Sequence, residues 1–178
     1  MRMGIARWRR LSLGERRLVL GCLITAILGA FLALIVVLRL DPDAVFQRPL
    51  SLYEQWILVA GAFGGGAGVI LARDRLGRAG IIKPLAGLVI MTFVAAIIGG
   101  TLALPLYGTM FGPFTLAVIF TASPMIAALW FANGFAVHLM VRSWHSERDS
   151  IFGAAPPKPI LQSASDQITR LMRFGINP

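Results

Sequence analysis

Apolar and polar positions alternate along this chain in long blocks rather than residue by residue. Leu18 to Leu38, Trp56 to Ala72, Leu85 to Leu104 and Phe114 to Val141 contain no Asp, Glu, Lys or Arg. About 20 such residues, rising 1.5 Å each as a helix, cross a hydrocarbon core of about 30 Å. Inside lipid the backbone has no water to bond, so a helix satisfies it where a lone strand would not. The pattern therefore predicts an all-α, polytopic membrane protein. Four transmembrane helices, at 18–38, 56–72, 85–104 and 114–141, pack as a small bundle within one membrane domain, 18–144. A basic segment, 1–17, precedes it, and a Pro-containing tail, 145–178, follows.

The ends of these blocks carry helix signals. Ser12 and Glu15 have the S-x-x-E spacing of a capping box, which starts the first helix near Leu13. Pro84 suits the first turn of the third helix. Pro105-Leu106-Tyr107-Gly108 reads as a turn with an interfacial Tyr, and the uncharged loop to Phe114 as a tight connection. The fourth block is longer than the membrane requires. Ser123-Pro124 is its predicted kink, because Pro removes a backbone hydrogen bond. The helix is expected to emerge after Val137, with Trp144 at the interface. In the tail, Pro156-Pro157-Lys158-Pro159 is a stiff linker. A short amphipathic helix follows to Phe174, with Ile168, Leu171, Met172 and Phe174 on one side and Arg170 and Arg173 beside them. This is the pattern of an interfacial or partner-binding helix.

Small residues add a packing pattern to the spans. The second span places Gly61, Gly64, Gly65, Gly68 and Ala72 on one stripe, with Val59, Phe63 and Ile70 opposite and Gly66 off the stripe. Gly21, Thr25, Gly29 and Ala33 recur every four residues in the first span, and Ala95, Gly99 and Ala103 do so in the third. Lipid gives helices no hydrophobic reason to associate, so close approach over small residues takes its place.

Composition agrees and charge adds orientation. The chain is 57% hydrophobic and 14% charged, against about a quarter charged for a soluble domain. The net charge is +9, from 15 Arg and 2 Lys against 8 acids. Basic residues number 6, 2, 4, 0 and 5 in the five segments outside the spans. The rich segments share one side if there are four spans, which predicts cytoplasmic N- and C-termini. That Arg-rich cytoplasmic face is expected to meet anionic lipid headgroups of the bilayer. No aromatic–basic motif accompanies the charge, so no nucleic-acid partner is expected. The preference for Arg over Lys fits a high-GC bacterium, hence a bacterial inner membrane. The 21-residue first block is longer than a signal-peptide core and no A-x-A site follows it, which predicts a retained anchor.

Candidate chemistry changes little. The spans lack the intramembrane ionisable group on which proton relays and coupled transport rely. Cys22 is alone, which excludes an intramolecular disulfide and a multi-Cys metal site. His138 and His145 have no carboxylate ligand pair near them, so His138 reads as an interfacial histidine bonded to water, a headgroup or a neighbouring helix. The GGGAG run lacks the Lys-Ser/Thr of a phosphate loop. No catalytic, cofactor-binding or metal-binding residue is predicted, and the chain is not expected to be an enzyme. Gly61, Gly64, Gly65, Gly68, Ser123, Asn133, His138, Ile168, Leu171, Met172 and Phe174 are expected to serve helix packing or partner binding. Asn133 suits an interhelical hydrogen bond. The expected function is a non-catalytic accessory, assembly or scaffold subunit that contacts other integral membrane subunits of a larger complex. The alternative is a small transporter or channel that uses backbone and hydroxyl groups.

Overall fold

The computed structural model describes residues 11–40 and 48–152, and all regular structure among them is helical. The helices are α1 (Leu13–Leu40), α2 (Leu52–Ala72), α3 (Ile82–Ala103), α4 (Gly108–Ala122) and α5 (Pro124–Phe152). Four of them, α1, α2, α3 and α5 over Pro124–Ser150, are long and apolar enough to cross a membrane. The first ten residues and the tail from 153, with its predicted amphipathic helix and Ile168, Leu171, Met172 and Phe174, lie outside the described residues. The chain divides into two units, 1–145 and 146–178. The bundle belongs to the first; the second contributes the last turns of α5.

Each start has a local cause. The Ser12 hydroxyl accepts from Glu15 N–H at 3.1 Å, and the Glu15 carboxylate accepts from Ser12 N–H at 3.0 Å. The same S-x-x-E spacing recurs at Ser51 and Glu54 and opens α2 four residues before its apolar run begins. There the Glu54 carboxylate accepts from Ser51 N–H at 2.6 Å, and Glu54 N–H donates to the Ser51 hydroxyl at 3.3 Å. Two orphan donors at a helix start are thereby satisfied. Arg48 adds a two-pronged contact to the Glu54 carboxylate, at 3.0 and 2.9 Å.

Helix α2 lies between α1 and α3, antiparallel to both. Its glycine stripe has two edges, each used against a different neighbour. A methyl group built on Gly61 would stand 2.6 Å from the Gly29 carbonyl oxygen, and one on Gly65 would stand 2.5 Å from that of Thr25. On the other edge, Gly64 faces the Ala95 carbonyl at 2.5 Å and Gly68 that of Met91 at 2.6 Å. These backbones touch, and only residues without a side chain permit it. Helices α3 and α4 approach in the same way, Gly100 on Gly108 and Gly112 on Ala96.

The fourth apolar block differs from the expected single kinked span. Ser123 is extended, with φ −140° and ψ 92°, and ends α4; Pro124 opens α5. Proline lacks the N–H that would continue the helix and pushes its predecessor out of the helical region. The fifteen residues of α4 are about 22 Å long, short of the hydrocarbon core. Beginning at Gly108 beside α3, α4 reaches the end of α1, where Ala122 and Ser123 border one cavity with Ile35 and Arg39. It therefore passes from α3 to α1 within one half of the bundle, and α5 alone of the two is long and apolar enough to supply a fourth crossing.

Helix α5 runs antiparallel to α1 and also rests on α3. Met140 and Val137 stand beside Gly21, and Arg17 donates to the Ser143 hydroxyl at 2.6 Å. On α3, Gly134 packs on Leu88 and Met91. The buried core cluster sits where α5 meets α1, α2 and α3: Leu32, Val69, Ala72, Leu76, Met91, Trp130, Val137 and Val141. Large side chains fill this side, whereas glycines close the contacts of α2. One end of the bundle carries Arg73, Arg75, Arg78, Lys83 and Arg142, and is called the basic end below. The other, the far end, holds the last turn of α1, the first turn of α2 and the α3–α4 turn.

Candidate functional site

The buried polar groups inside the bundle are each tied to a neighbouring helix or turn. Thr25, fully buried, donates its hydroxyl proton to the Gly21 carbonyl at 2.9 Å. Its oxygen then accepts from the Asn133 Nδ2 at 3.1 Å, which locks α5 to α1. Because the hydroxyl proton is committed, the amide nitrogen of Asn133 must face it. Asn133 Oδ1 finds no donor among the described residues. One turn earlier on α5, Trp130 donates its indole N–H to the Thr92 hydroxyl at 2.9 Å, and Thr92 donates to the Leu88 carbonyl at 2.8 Å. Contacts of this kind between membrane helices contribute about 0.6 kcal/mol each and at most about 1.7.

Both histidines grip the α2–α3 connection at the basic end. Gly77 N–H donates to His138 Nδ1 at 3.0 Å. This acceptor role places the proton of a neutral His138 on Nε2. His145 Nε2 lies 3.1 Å from the Arg73 carbonyl oxygen, which can only accept, so this nitrogen carries a proton. The turn fits because Gly77 has φ +76° and its Cα faces the α5 backbone; a methyl there would stand 2.6 Å from Arg142 N. Arg73 also lies over the Trp144 ring, 5.9 Å from its centroid. Two side chains of α5, seven residues apart, thus hold a turn more than sixty residues earlier in the chain. The sequence carried both histidines but not the partner that explains them. Among the described residues no group of His, Cys, Asp or Glu has a metal-binding arrangement.

At the far end the first turn of α2 supplies donors to the open end of α3. Tyr53 O–H donates to the Ala103 carbonyl at 3.1 Å, and Trp56 N–H to the Leu102 carbonyl at 2.8 Å. These are carbonyls that the helix itself leaves unpaired.

Beside α4 lie two apolar cavities, of about 330 Å³ and about 280 Å³. The larger descends from Leu40, Tyr53 and Leu104 at the far end to Gly65 and Trp130 midway through the bundle. The smaller lies between α1 and α4.

Of the residues expected to matter, Gly61 and Gly65 meet α1, Gly64 and Gly68 meet α3, Asn133 meets α1 and His138 meets the α2–α3 turn. Ser123 joins α4 to α5, and its carbonyl accepts from Ile126 N–H at 3.0 Å. The helix contacts of Gly108 and Gly112 and the two cavities had no counterpart in the sequence reading, where Gly108 stood only as part of a turn. Gly108-x-x-x-Gly112 was the signal for the former, since its spacing is that of a helix-packing face.

Fold and site together define a multi-pass helical membrane protein whose interior polar groups hold helices to one another. Comparison of the chain with family models, with curated proteins and with solved structures finds no match.

Proposed function

We propose that this protein is a non-catalytic accessory, assembly or scaffold subunit of a larger complex in a bacterial inner membrane. The observation that carries this reading is a small-residue ridge on the surface of α5. Ala128 and Ala132 are exposed, and Ala136, one turn further, is half-buried. Small residues of α1, α2, α3 and α4 meet across the bundle at Gly29–Gly61, Gly64–Ala95 and Gly112–Ala96. The α5 ridge stays at the surface, and its spacing is the one by which membrane helices approach a partner. The commitment of Thr25, Asn133, Thr92, Trp130, His138 and His145 to structural bonds supports a packing role over a catalytic one.

Both termini are cytoplasmic in this reading. Helices α1 and α2 cross in opposite directions, which returns the basic connection at Arg73 to Lys83 to the side of the N-terminal arginines, and with no crossing by α4 the end of α5 returns there too. A reporter fused at Arg78 should read cytoplasmic; a periplasmic signal there would overturn the orientation.

The subunit reading is tested by cross-linking. A cysteine at Ala132, in a Cys22→Ser background, should join a second integral membrane polypeptide in native membranes at a fixed ratio. A chain that yields no adduct and purifies alone would defeat it.

A further inference from the structure

We propose that the two cavities beside α4 hold the two hydrocarbon chains of one anionic phospholipid, with its phosphate at Arg39. The cavities share four lining residues, Val36, Leu40, Thr115 and Ile119, where α1 and α4 come together. A molecule with two chains can straddle that partition, one chain on each side. Arg39 lines the smaller cavity and is the one charged side chain among the described residues lining either. It stands in the last turn of α1, at the level where a headgroup meets the chains.

Length and lining select the occupant. The larger cavity follows α1 from Gly29 to Leu40, which is about 17 Å at 1.5 Å per residue. It is a half-open apolar cleft of about 330 Å³, which a flexible hydrocarbon chain can enter from the bilayer. The depth is also apt, since about 17 Å from the far end is roughly one leaflet of a 30 Å core. Apart from Tyr53, Thr115 and Trp130, whose indole N–H is committed to Thr92, the side chains lining the larger cavity are hydrocarbon or glycine. A cavity of this kind does not hold ordered water, which needs two to four polar partners. A lipid chain restores the van der Waals contacts that an empty cavity forfeits. Arg39 then adds a charge-assisted contact to the phosphate.

The test uses the full chain purified in mild detergent and examined by native mass spectrometry. One phospholipid per chain should remain bound. After delipidation, rebinding from mixed micelles should favour phosphatidylglycerol over phosphatidylcholine. Arg39→Gln should cut that preference about fivefold, the equivalent of about 1 kcal/mol for one basic residue near a lipid surface. Thr115→Trp, at the partition, should reduce total bound lipid without loss of helix content by circular dichroism. Inorganic phosphate, which has the charge without the chains, should not compete. The proposal is overturned if no phospholipid is retained, if inorganic phosphate displaces it, or if both variants bind as the wild type does. Arg39→Gln lies on an exposed terminal turn, so its result stands even where the tryptophan variant misfolds.

Discussion

Gly65 and Gly66 are neighbours on one helix, and the structure assigns them opposite sensitivities. A methyl on Gly65 would lie 2.5 Å from the Thr25 carbonyl oxygen and 3.1 Å from its carbon. Ordinary contact between such atoms is about 3.5–4.0 Å. Both obstructing atoms are backbone, so no side chain can swing aside, and α1 and α2 must part by about 1 Å. A gap of 0.5–1 Å forfeits a quarter to a half of each contact. If the interface holds on the order of 40 atom pairs at about 0.15 kcal/mol, the loss is about 1.5–3 kcal/mol. This agrees with the usual cost of overpacking, about 1–3 kcal/mol. A methyl on Gly66 would meet nothing nearer than 3.9 Å, an ordinary contact, so Gly66→Ala should fall within about 0.5 kcal/mol of the wild type. The assay is reversible unfolding by SDS in mild-detergent micelles, followed by fluorescence of the buried Trp130. Equal losses for Gly65→Ala and Gly66→Ala would refute the contact, as would a neutral Gly65→Ala.

Further outcomes follow from the same geometry. A double-mutant cycle of Thr25→Val and Asn133→Leu should return a coupling of about 0.6–1.7 kcal/mol; additivity would mean the hydrogen bond does not link α1 to α5. His138→Phe removes the acceptor of the buried Gly77 N–H and should cost about 1–3 kcal/mol. Faster tryptic cleavage at Arg75 and Arg78 would report it, and unchanged cleavage would contradict the clamp. Leu106 is 90% exposed with φ +77°, a conformation that disfavours a side chain by roughly 1–2 kcal/mol. Leu106→Gly should raise stability by about 0.5–1 kcal/mol after the greater chain entropy of glycine is deducted; a lower SDS midpoint would oppose this.

The sequence exposed the features that depend on near neighbours. Apolar length revealed the spans, Ser12 and Glu15 marked the start of α1, and the stripe of Gly61, Gly64, Gly65 and Gly68 on α2 announced a close contact. The start of α2 was equally legible in Ser51 and Glu54, but the apolar run after Trp56 is the louder signal. Other features depend on distant residues. Pro124 shows where a helix breaks but not the direction the chain takes, because α4 is steered by Gly100 and Ala96 meeting Gly108 and Gly112. The stripe of α2 gave no sign that its two edges face different helices, since that depends on which neighbour lies on each side. His138 and His145 looked like isolated polar residues because their partners, Gly77 N–H and the Arg73 carbonyl, are backbone groups that every sequence contains.

The most direct test of the subunit reading is the composition of the particle extracted from native membranes in mild detergent. Its mass and polypeptide content should show this chain in fixed ratio with another integral membrane polypeptide. Ala132→Trp on the α5 ridge should release it as a folded single chain with Trp130 still buried. A wild-type particle holding one chain, detergent and lipid alone, and conducting ions once placed in liposomes, would contradict the account.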